Sequence, residues 1–443
     1  MIFFHINKKL LLMKLHYFVG IGGYAPLIPF MSTIAKQRGY SSFIVGLVFA
    51  VMPIPGMLAK IIFGSLTDKY NCRRLVFVLS AILTSLLVFI MLLIPNTNTN
   101  EEMDDSDAIR SPLFWLFWTT ATLFATTATV KNVLEDTICM NLLGENKHQY
   151  GGQRLWGSIG YSLLAIASGV CVDWYSKEQE FKNYTPCFVI ALMCFILDIF
   201  VVSNIEVVQE SSYTNKVSSD VKKLLTEFRI LAFIVWVVLF GFFVSFLWNF
   251  LFWYLEDLST FYHPETKSWM KTLQGLAILI QCFGGEVPSF FLSGYILKRV
   301  GHMNVFSIMF FVYALIFFLF SIIENPVYVL PVEILSGVAF ALFYSGAISY
   351  AHLSTPAGAE GTFQGVVGTA LTGIGTPIGS LVGGYMFQII GSISSFKLLS
   401  VLVLITCIVQ IIVNQMIIRF SKNRNIKTTS RRGQPEVGVD FTL

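Results

Sequence analysis

"GSLTDKYNCRR", residues 64–74, separates two apolar stretches, SSFIVGLVFAVMPIPGMLAKIIF (41–63) and LVFVLSAILTSLLVFIMLLIP (75–95). Each flank has the roughly 20 residues that a helix rising about 1.5 Å per residue needs to cross a hydrocarbon core of about 30 Å. The eleven residues between them hold one acid, one lysine and a double arginine, so they read as a short charged connection between two membrane spans. The pattern recurs along the whole chain of 443 residues, which is 55% hydrophobic and 13% charged, with 41 Phe. Backbone groups in lipid must be satisfied within the protein, which leaves helices or closed barrels. The apolar runs are too long and too evenly apolar for barrel strands, and an all-α membrane protein is predicted.

Twelve spans are predicted, at 10–34, 41–65, 75–95, 112–143, 154–173, 187–204, 229–255, 271–297, 304–323, 327–352, 362–389 and 396–418. Most Lys and Arg in the connections fall on one side when both termini are placed in the cytosol, and the opposite topology inverts that bias. The acidic EEMDDSD (101–107) then lies outside and the basic RFSKNRNIKTTSRR (419–432) inside. The formal net charge of +4 thus reads as cytosolic anchoring, with the lipid bilayer as partner and no nucleic acid implied. The first apolar run lacks a small-x-small cleavage site and carries Pro26 and Pro29, so it is read as a span and not as a removable signal. The seven Cys show no metal or CxxC spacing and no cofactor is indicated. Cys171 and Cys187 flank one outer connection, either as a pair or as buried thiols. Asn183-Tyr184-Thr185 is an N-x-[ST] site beside Pro186 in the same connection. A plasma-membrane location is expected, and a monomer.

A polar stretch at 206–228 divides the chain into a six-helix bundle at 1–205 and another at 229–418, with a basic tail at 419–443. The loop after span 2 has a counterpart after span 8, GYILKRVGHMN (294–304), in which Gly64 aligns with Gly294, Lys69 with Arg299 and Asn71 with Gly301, while Asp68 becomes Lys298. More weakly, YGGQR before span 5 echoes EGTFQ before span 11. Two parallel bundles built from smaller repeats, with a site at the midplane between them, is an architecture of secondary transporters.

GSLTDKYNCRR resembles the signature loop of the major facilitator superfamily, glycine-x-leucine-x-aspartate-basic-x-glycine-x-basic-basic, with Asn71 in place of the second glycine. Asparagine is the next-best residue for a left-handed turn. The resemblance implies a conformational latch that stabilises the outward-facing state, formed by Gly64, Asp68, Lys69, Arg73 and Arg74. In that role Gly64 permits close approach to a neighbouring helix and Asp68 caps or accepts from the N-terminus of a partner helix. A plain positive-inside anchor is the other reading of the same loop. Further strings, among them AKQRGYSSFIVG (35–46), YGGQRLWGSIGY (150–161), FLFWYLEDL (250–258), QCFGGEVPSFFLSGYILKRVGH (281–302), LPVEILSGVAFALFY (330–344) and EGTFQGVVGTALTGIG (360–375), resemble the group of the major facilitator superfamily domain-containing protein six. That group lies in the branch allied to the lactose permease and nucleoside symporters.

Charges inside spans are costly in lipid and by default face a cavity or a partner. Glu286 is the leading candidate, because it follows Gly284 and Gly285 and precedes Pro288, where a helix is expected to be irregular. It shares a small and polar face with Gly275, Cys282, Ser289 and Ser293. By resemblance it takes the place of the span-8 glutamate of the permease branch; a structural acid bonded to a neighbouring helix is the alternative. On span 4, Lys131 and Glu135 stand at i,i+4 and are expected to pair. Glu135 or Asp136 with Arg154 resembles the acid–arginine pair of the permease branch, or else belongs to the cytosolic gate alone. Glu333, beside Pro331, reads as an outer-gate or relay acid or as a helix cap. Asn249 sits in FLWNFLFWYLED (246–257), which is read mainly as an interfacial aromatic belt with Asn249 a possible ligand. Lys14, Lys60 and Asp198 lie near the cytosolic side, where the simplest reading is that they reach out to it. Gly375, Gly379 and Gly383 read as a helix-packing stripe.

These features predict a secondary active or facilitative transporter of a small polar solute working by alternating access, with protons as a candidate coupling ion and symport or facilitated diffusion favoured over antiport. The alternative is a receptor-like protein that keeps the fold without transport. No HExxH or nucleotide-binding glycine loop points to an enzyme or an ATP-driven pump. Asp68→Asn is expected to shift the protein toward the inward-facing state without unfolding it, since a charge-assisted contact of about 1–3 kcal/mol is enough to bias a two-state equilibrium about tenfold. Cysteine accessibility from the two sides checks this, and unchanged accessibility would leave the loop an anchor only.

Overall fold

The computed structural model describes residues 8–70, 72–95, 103–144, 150–177, 179, 181–206, 226–354 and 360–432. These residues are helices and connecting turns, with no strand among them. Eleven helices are long and apolar enough to cross a membrane: span 2 (Ser42–Lys60), span 3 (Arg73–Leu93), span 4 (Pro112–Leu143), span 5 (Tyr150–Tyr175), span 6 (Thr185–Ser203), span 7 (Phe228–Phe261), span 8 (Pro264–Val300), span 9 (His302–Ile322), span 10 (Pro326–Ser354), span 11 (Phe363–Ile390) and span 12 (Ser392–Arg419).

Span 1 departs from the expected continuous helix. It is built from an α-helix (Lys8–His16), a π-helical turn (Tyr17–Ile21), a run of turns over 23–30 and a second helix (Met31–Gln37). Pro26 and Pro29 fall in the run of turns, where each lacks an N–H and crowds the preceding carbonyls. Such a break is tolerated at membrane depth only where protein or a cavity covers it, and Ala25, Leu27 and Phe30 are indeed fully buried.

Spans 1–6 make up the first half of the chain and spans 7–12 the second. In the first, span 3 packs on spans 4 and 6 and span 1 on spans 5 and 6; in the second, span 9 packs on spans 10 and 12 and span 7 on span 11. The glycine stripe of span 11 lies against span 7, where a Cβ on Gly375 would stand 2.4 Å from the Val238 carbonyl oxygen and one on Gly379 2.2 Å from that of Phe242. With the broken span 1 and the eleven further spans running alternately, the described chain starts, at Lys8, and finishes, after span 12, at one end of the bundle, the terminal end.

At the far end the halves are sealed together. Span 2 crosses span 11 and span 5 crosses span 8 on paired glycines. A Cβ on Gly46 would lie 2.5 Å from the Ser380 carbonyl oxygen, and one on Gly384 2.4 Å from that of Ser42. At the second crossing, a Cβ on Gly169 would meet the Lys271 carbonyl oxygen at 2.0 Å, and one on Gly275 that of Ala165 at 2.6 Å. Polar contacts reinforce the seal. The Lys36 ammonium contacts Asp257 at 2.6 Å and lies 4.9 Å from the Trp253 ring centre. Asp173 accepts from the Thr272 amide at 2.6 Å and from its hydroxyl at 2.8 Å. Ser42 donates to the Gly384 carbonyl at 3.1 Å, and Lys271 pairs with Glu256.

Toward the terminal end the halves part. The segments Val287–Val300 and Glu360–Gly368 pack within their own half, and a Cβ on Gly294, Gly365 or Gly368 would meet nothing within 4 Å. Gly384→Leu is therefore expected to hold the far end open, because backbone on both sides of that crossing cannot give way. With Cys282 as the sole thiol, an impermeant thiol reagent should reach it from the far side in this variant and not in the parent. Equal labelling of the two would contradict the seal.

Candidate functional site

Span 8 carries the chemistry because its sequence cannot run as a regular helix. Pro288 removes an N–H and crowds the carbonyl of Gly284, and the chain responds with a π-helical turn over Gln281–Glu286. Such turns recur at functional positions. Span 10 docks against it without side chains between the backbones: a Cβ on Gly337 would fall 2.2 Å from the Gln281 carbonyl oxygen, and one on Gly285 2.5 Å from that of Ile334. This contact sets Glu333 beside Glu286.

Both carboxylates border a cavity of about 390 Å³ between the halves, together with Asn249, Trp248, Gln281 and Tyr161. Ile28 and Pro29 from the broken stretch of span 1 close its other side. Glu286 accepts a long hydrogen bond of 3.5 Å from the Gln281 amide. Glu333 is 1% exposed and its Oε1 has no hydrogen-bond partner. The cavity lining contains no Lys, Arg or His. Asn249 donates to the Ser380 hydroxyl at 2.7 Å, which fixes its amide at the edge of the space. Trp248 packs edge-on against Phe340 with ring centres 5.5 Å apart. The aromatic run 246–257 is thus not an interfacial belt: Phe246, Phe250, Phe252 and Tyr254 are buried, because span 7 lies inside the bundle.

The first half holds a second set of charges, and here every charge has an opposite. His16 sits between Asp198 at 2.6 Å and Glu135 at 3.0 Å, and Lys131 reaches Asp198 at 2.9 Å. All four are fully buried. The Lys131 ammonium also lies 5.1 and 5.2 Å from the ring centres of Tyr24 and Phe195. The expected Lys131–Glu135 pair along span 4 is therefore replaced by pairs between spans, since burial rewards the partner that also satisfies Asp198. Asp198 does not reach the cytosolic side. His16, which the sequence reading passed over, is the residue that joins the two acids.

A third group lies nearer the terminal end. Arg154 contacts Asp136 at 2.6 Å, and Asp136 also accepts from the Tyr150 hydroxyl at 2.6 Å and the Tyr17 hydroxyl at 3.2 Å. Arg154 and Asp136 are 45% and 41% exposed, so this pair opens to the divergent end and stands apart from the Glu286 cavity. In the signature loop, Arg74 donates to the Ser203 carbonyl at 3.0 Å and Arg73 begins span 3. The side chains of Asp68 and Lys69 and the surroundings of Gly64 lie outside what is described, as does Asn71. Cys171 and Cys187 are free thiols, and the Asn183 side chain accepts from the Thr185 amide at 3.0 Å. Lys131→Met is expected to cost about 3–5 kcal/mol by leaving a buried acid short of a cation, read as a lowered Tm in detergent. Adding Asp198→Asn should recover much of the loss; no recovery would mean that Lys131 acts through its packing.

The profile of the MFS_1 like family matches residues 10–398. An uncharacterized transporter of Bacillus subtilis, YwbF, is 24% identical over 390 residues, 87% of this chain and 88% of its own. The maltose permease of Geobacillus stearothermophilus is 22% identical over 378 residues, 84% of this chain and 86% of its own. Among solved structures, the nucleoside transporter NupG superposes with a TM-score of 0.74 at 14% identity, covering 92% of this chain and 99% of that one. The tetrameric PepTSo2 gives 0.67 at 12% identity, covering 93% of this chain and 98% of that one. These relatives are transporters and not enzymes, and the chain is a multi-pass membrane protein with an all-α fold, a member of the MFS_1 like family within the major facilitator superfamily.

Proposed function

We propose that the chain carries a small polar solute across the membrane by alternating access between its two six-helix halves, with proton uptake and release at Glu286 coupling the movement. The observation that carries this reading is the cavity between the halves, bordered by Glu286 and Glu333 and sealed from the far end by the Gly46–Gly384 and Gly169–Gly275 crossings. Positive-inside charge supports a cytosolic terminal end, and on that reading the conformation is inward-facing. A receptor that only keeps the fold has no need of buried acids without cations, and the cost of burying them favours transport. The divisions at 1–205, 206–228 and 229–418, the monomeric state and the plasma-membrane location belong to the same reading.

Glu286 is suited to the coupling role by what surrounds it. The titratable groups that face it are Cys282 on its own span, Tyr161 from span 5, Tyr313 from span 9 and Glu333 from span 10. None is a cation. A carboxyl removed from water and given no positive partner is cheapest when neutral, so ionisation requires a change of surroundings, which the alternation of access supplies. The Arg154–Asp136 pair, exposed on the cytosolic approach, is assigned to the entry path and not to the binding cavity.

Glu286→Gln keeps the shape and one hydrogen-bonding oxygen while fixing the uncharged state. In vesicles it is expected to abolish accumulation driven by an imposed pH gradient and to leave counterflow exchange within a few-fold of wild type. Gradient-driven accumulation that persists in this variant would remove Glu286 from the coupling step. A wild type that moves no solute from a panel of sugars, nucleosides, amines and organic anions would favour the receptor reading.

A further inference from the structure

We infer that the solute accepted by the cavity carries a cationic amine, held by Glu333 and boxed by the aromatic wall of Trp248 and Phe340, while Glu286 takes the coupling proton. This deepens the transport reading and rests on it. Its starting point is a charge imbalance confined to one half. In the first half, His16 and Lys131 stand against Glu135 and Asp198, so burial is matched residue by residue. In the second half, Glu286 and Glu333 border one cavity whose lining offers no cation.

A low-dielectric cavity with two ionised carboxylates and no counter-charge is strongly disfavoured. It becomes neutral with two protons, or with one proton and one cationic ligand. The two acids are not equivalent. Glu286 has the Gln281 amide 3.5 Å from its Oε1 and lies in the π-helical turn, where the backbone can rearrange. Glu333 is held in the regular helix of span 10, is 1% exposed, and keeps Oε1 without any partner. Glu333 lines the cavity and one of its buried carboxylate oxygens lacks a partner, so the group is an acceptor short of a donor, and an ammonium supplies both donors and charge.

The rest of the lining fits the same ligand class. Trp248 and Phe340 form a T-shaped wall with centres 5.5 Å apart, and Phe252 and Tyr161 add further rings to the cavity. An indole face is the best of the aromatic side chains for a cation, worth about 2 kcal/mol or more when desolvated. Asn249 and Gln281 supply neutral amide groups for a polar substituent. A solute carrying a carboxylate or phosphate finds no positive partner in the lining and meets two acids instead. A sugar satisfies the hydrogen-bonding groups but requires a second proton, on Glu333, to leave the cavity neutral. The volume of about 390 Å³ lies at the small end of ligand cavities, which suits a monoamine with one ring or a short chain.

The test is equilibrium binding to the purified full-length protein in detergent, which requires no transport. A series of primary amines (butylamine, phenethylamine, tryptamine) is compared with the matched alcohols and with phenylpropanoate. At least one amine is expected to bind saturably and at least tenfold tighter than its alcohol, with phenylpropanoate weaker still. Glu333→Gln should weaken that amine tenfold or more, whereas Glu265→Gln, at an exposed acid outside the cavity lining, should change its affinity less than threefold. Equal affinity of amine and alcohol, or no saturable amine in the series, overturns the inference without recourse to any variant. Full amine binding by a folded Glu333→Gln overturns the assignment of Glu333. The two readings separate cleanly: amine preference in a protein whose Glu286→Gln variant still accumulates solute under a pH gradient keeps the cation site and discards the coupling role.

Discussion

A charge that cannot reach water must be matched inside the protein, and the two halves of this molecule answer that constraint in opposite ways. In the first half, His16 bridges Asp198 and Glu135 while Lys131 completes the set. It ties spans 1, 4 and 6 together and leaves no net charge to be exchanged. In the second, Glu286 and Glu333 have no cation within their cavity. Matched buried charges fix an arrangement; unmatched ones wait for something mobile, a proton or a ligand. The first half therefore reads as the scaffold and the second as the half where occupancy changes.

The same division is written in the backbone. Proline and glycine interrupt spans 1, 8 and 11, giving π-helical turns at Tyr17–Ile21, Gln281–Glu286 and Thr369–Gly375. Two of the three turns precede a proline by two residues, Pro288 and Pro377, whose missing N–H and ring bulk prevent a regular ladder. Span 8 turns its irregular stretch toward the cavity, and span 1 contributes the residues after its turn, so the pliable backbone lies where a solute would sit. The glycine crossings at the far end are rigid by contrast. Backbone there touches backbone, and opening requires the whole crossing to separate.

Much of this was legible in the sequence because it depends on local pattern. Helix boundaries followed hydropathy, and the irregularity around Glu286 followed from Gly284, Gly285 and Pro288 within one turn; the Asp136–Arg154 contact is one of the two pairings, Glu135 or Asp136 with Arg154, that the family resemblance implied. What was not legible depends on partners far apart along the chain. His16 lies 182 residues from Asp198 and 119 from Glu135, and nothing near any of the three announces the others. The local Lys131–Glu135 spacing suggested the wrong pair for the same reason. Span 1 concealed its break because hydropathy stays high across Pro26 and Pro29. Lys36 and Asp173 find their partners, Asp257 and Thr272, only where the two halves meet.

The central claim is that Glu286 is the group that exchanges a proton with solvent. Infrared difference spectroscopy of the purified protein, recorded while bulk pH is stepped between acid and alkaline buffer, follows carboxyl C=O bands directly. The account predicts a pH-responsive carboxyl band in the wild type that is lost in Glu286→Gln and kept in Lys131→Met/Asp198→Asn. A responsive band that survives unchanged in Glu286→Gln would place the exchanging group elsewhere and contradict the account.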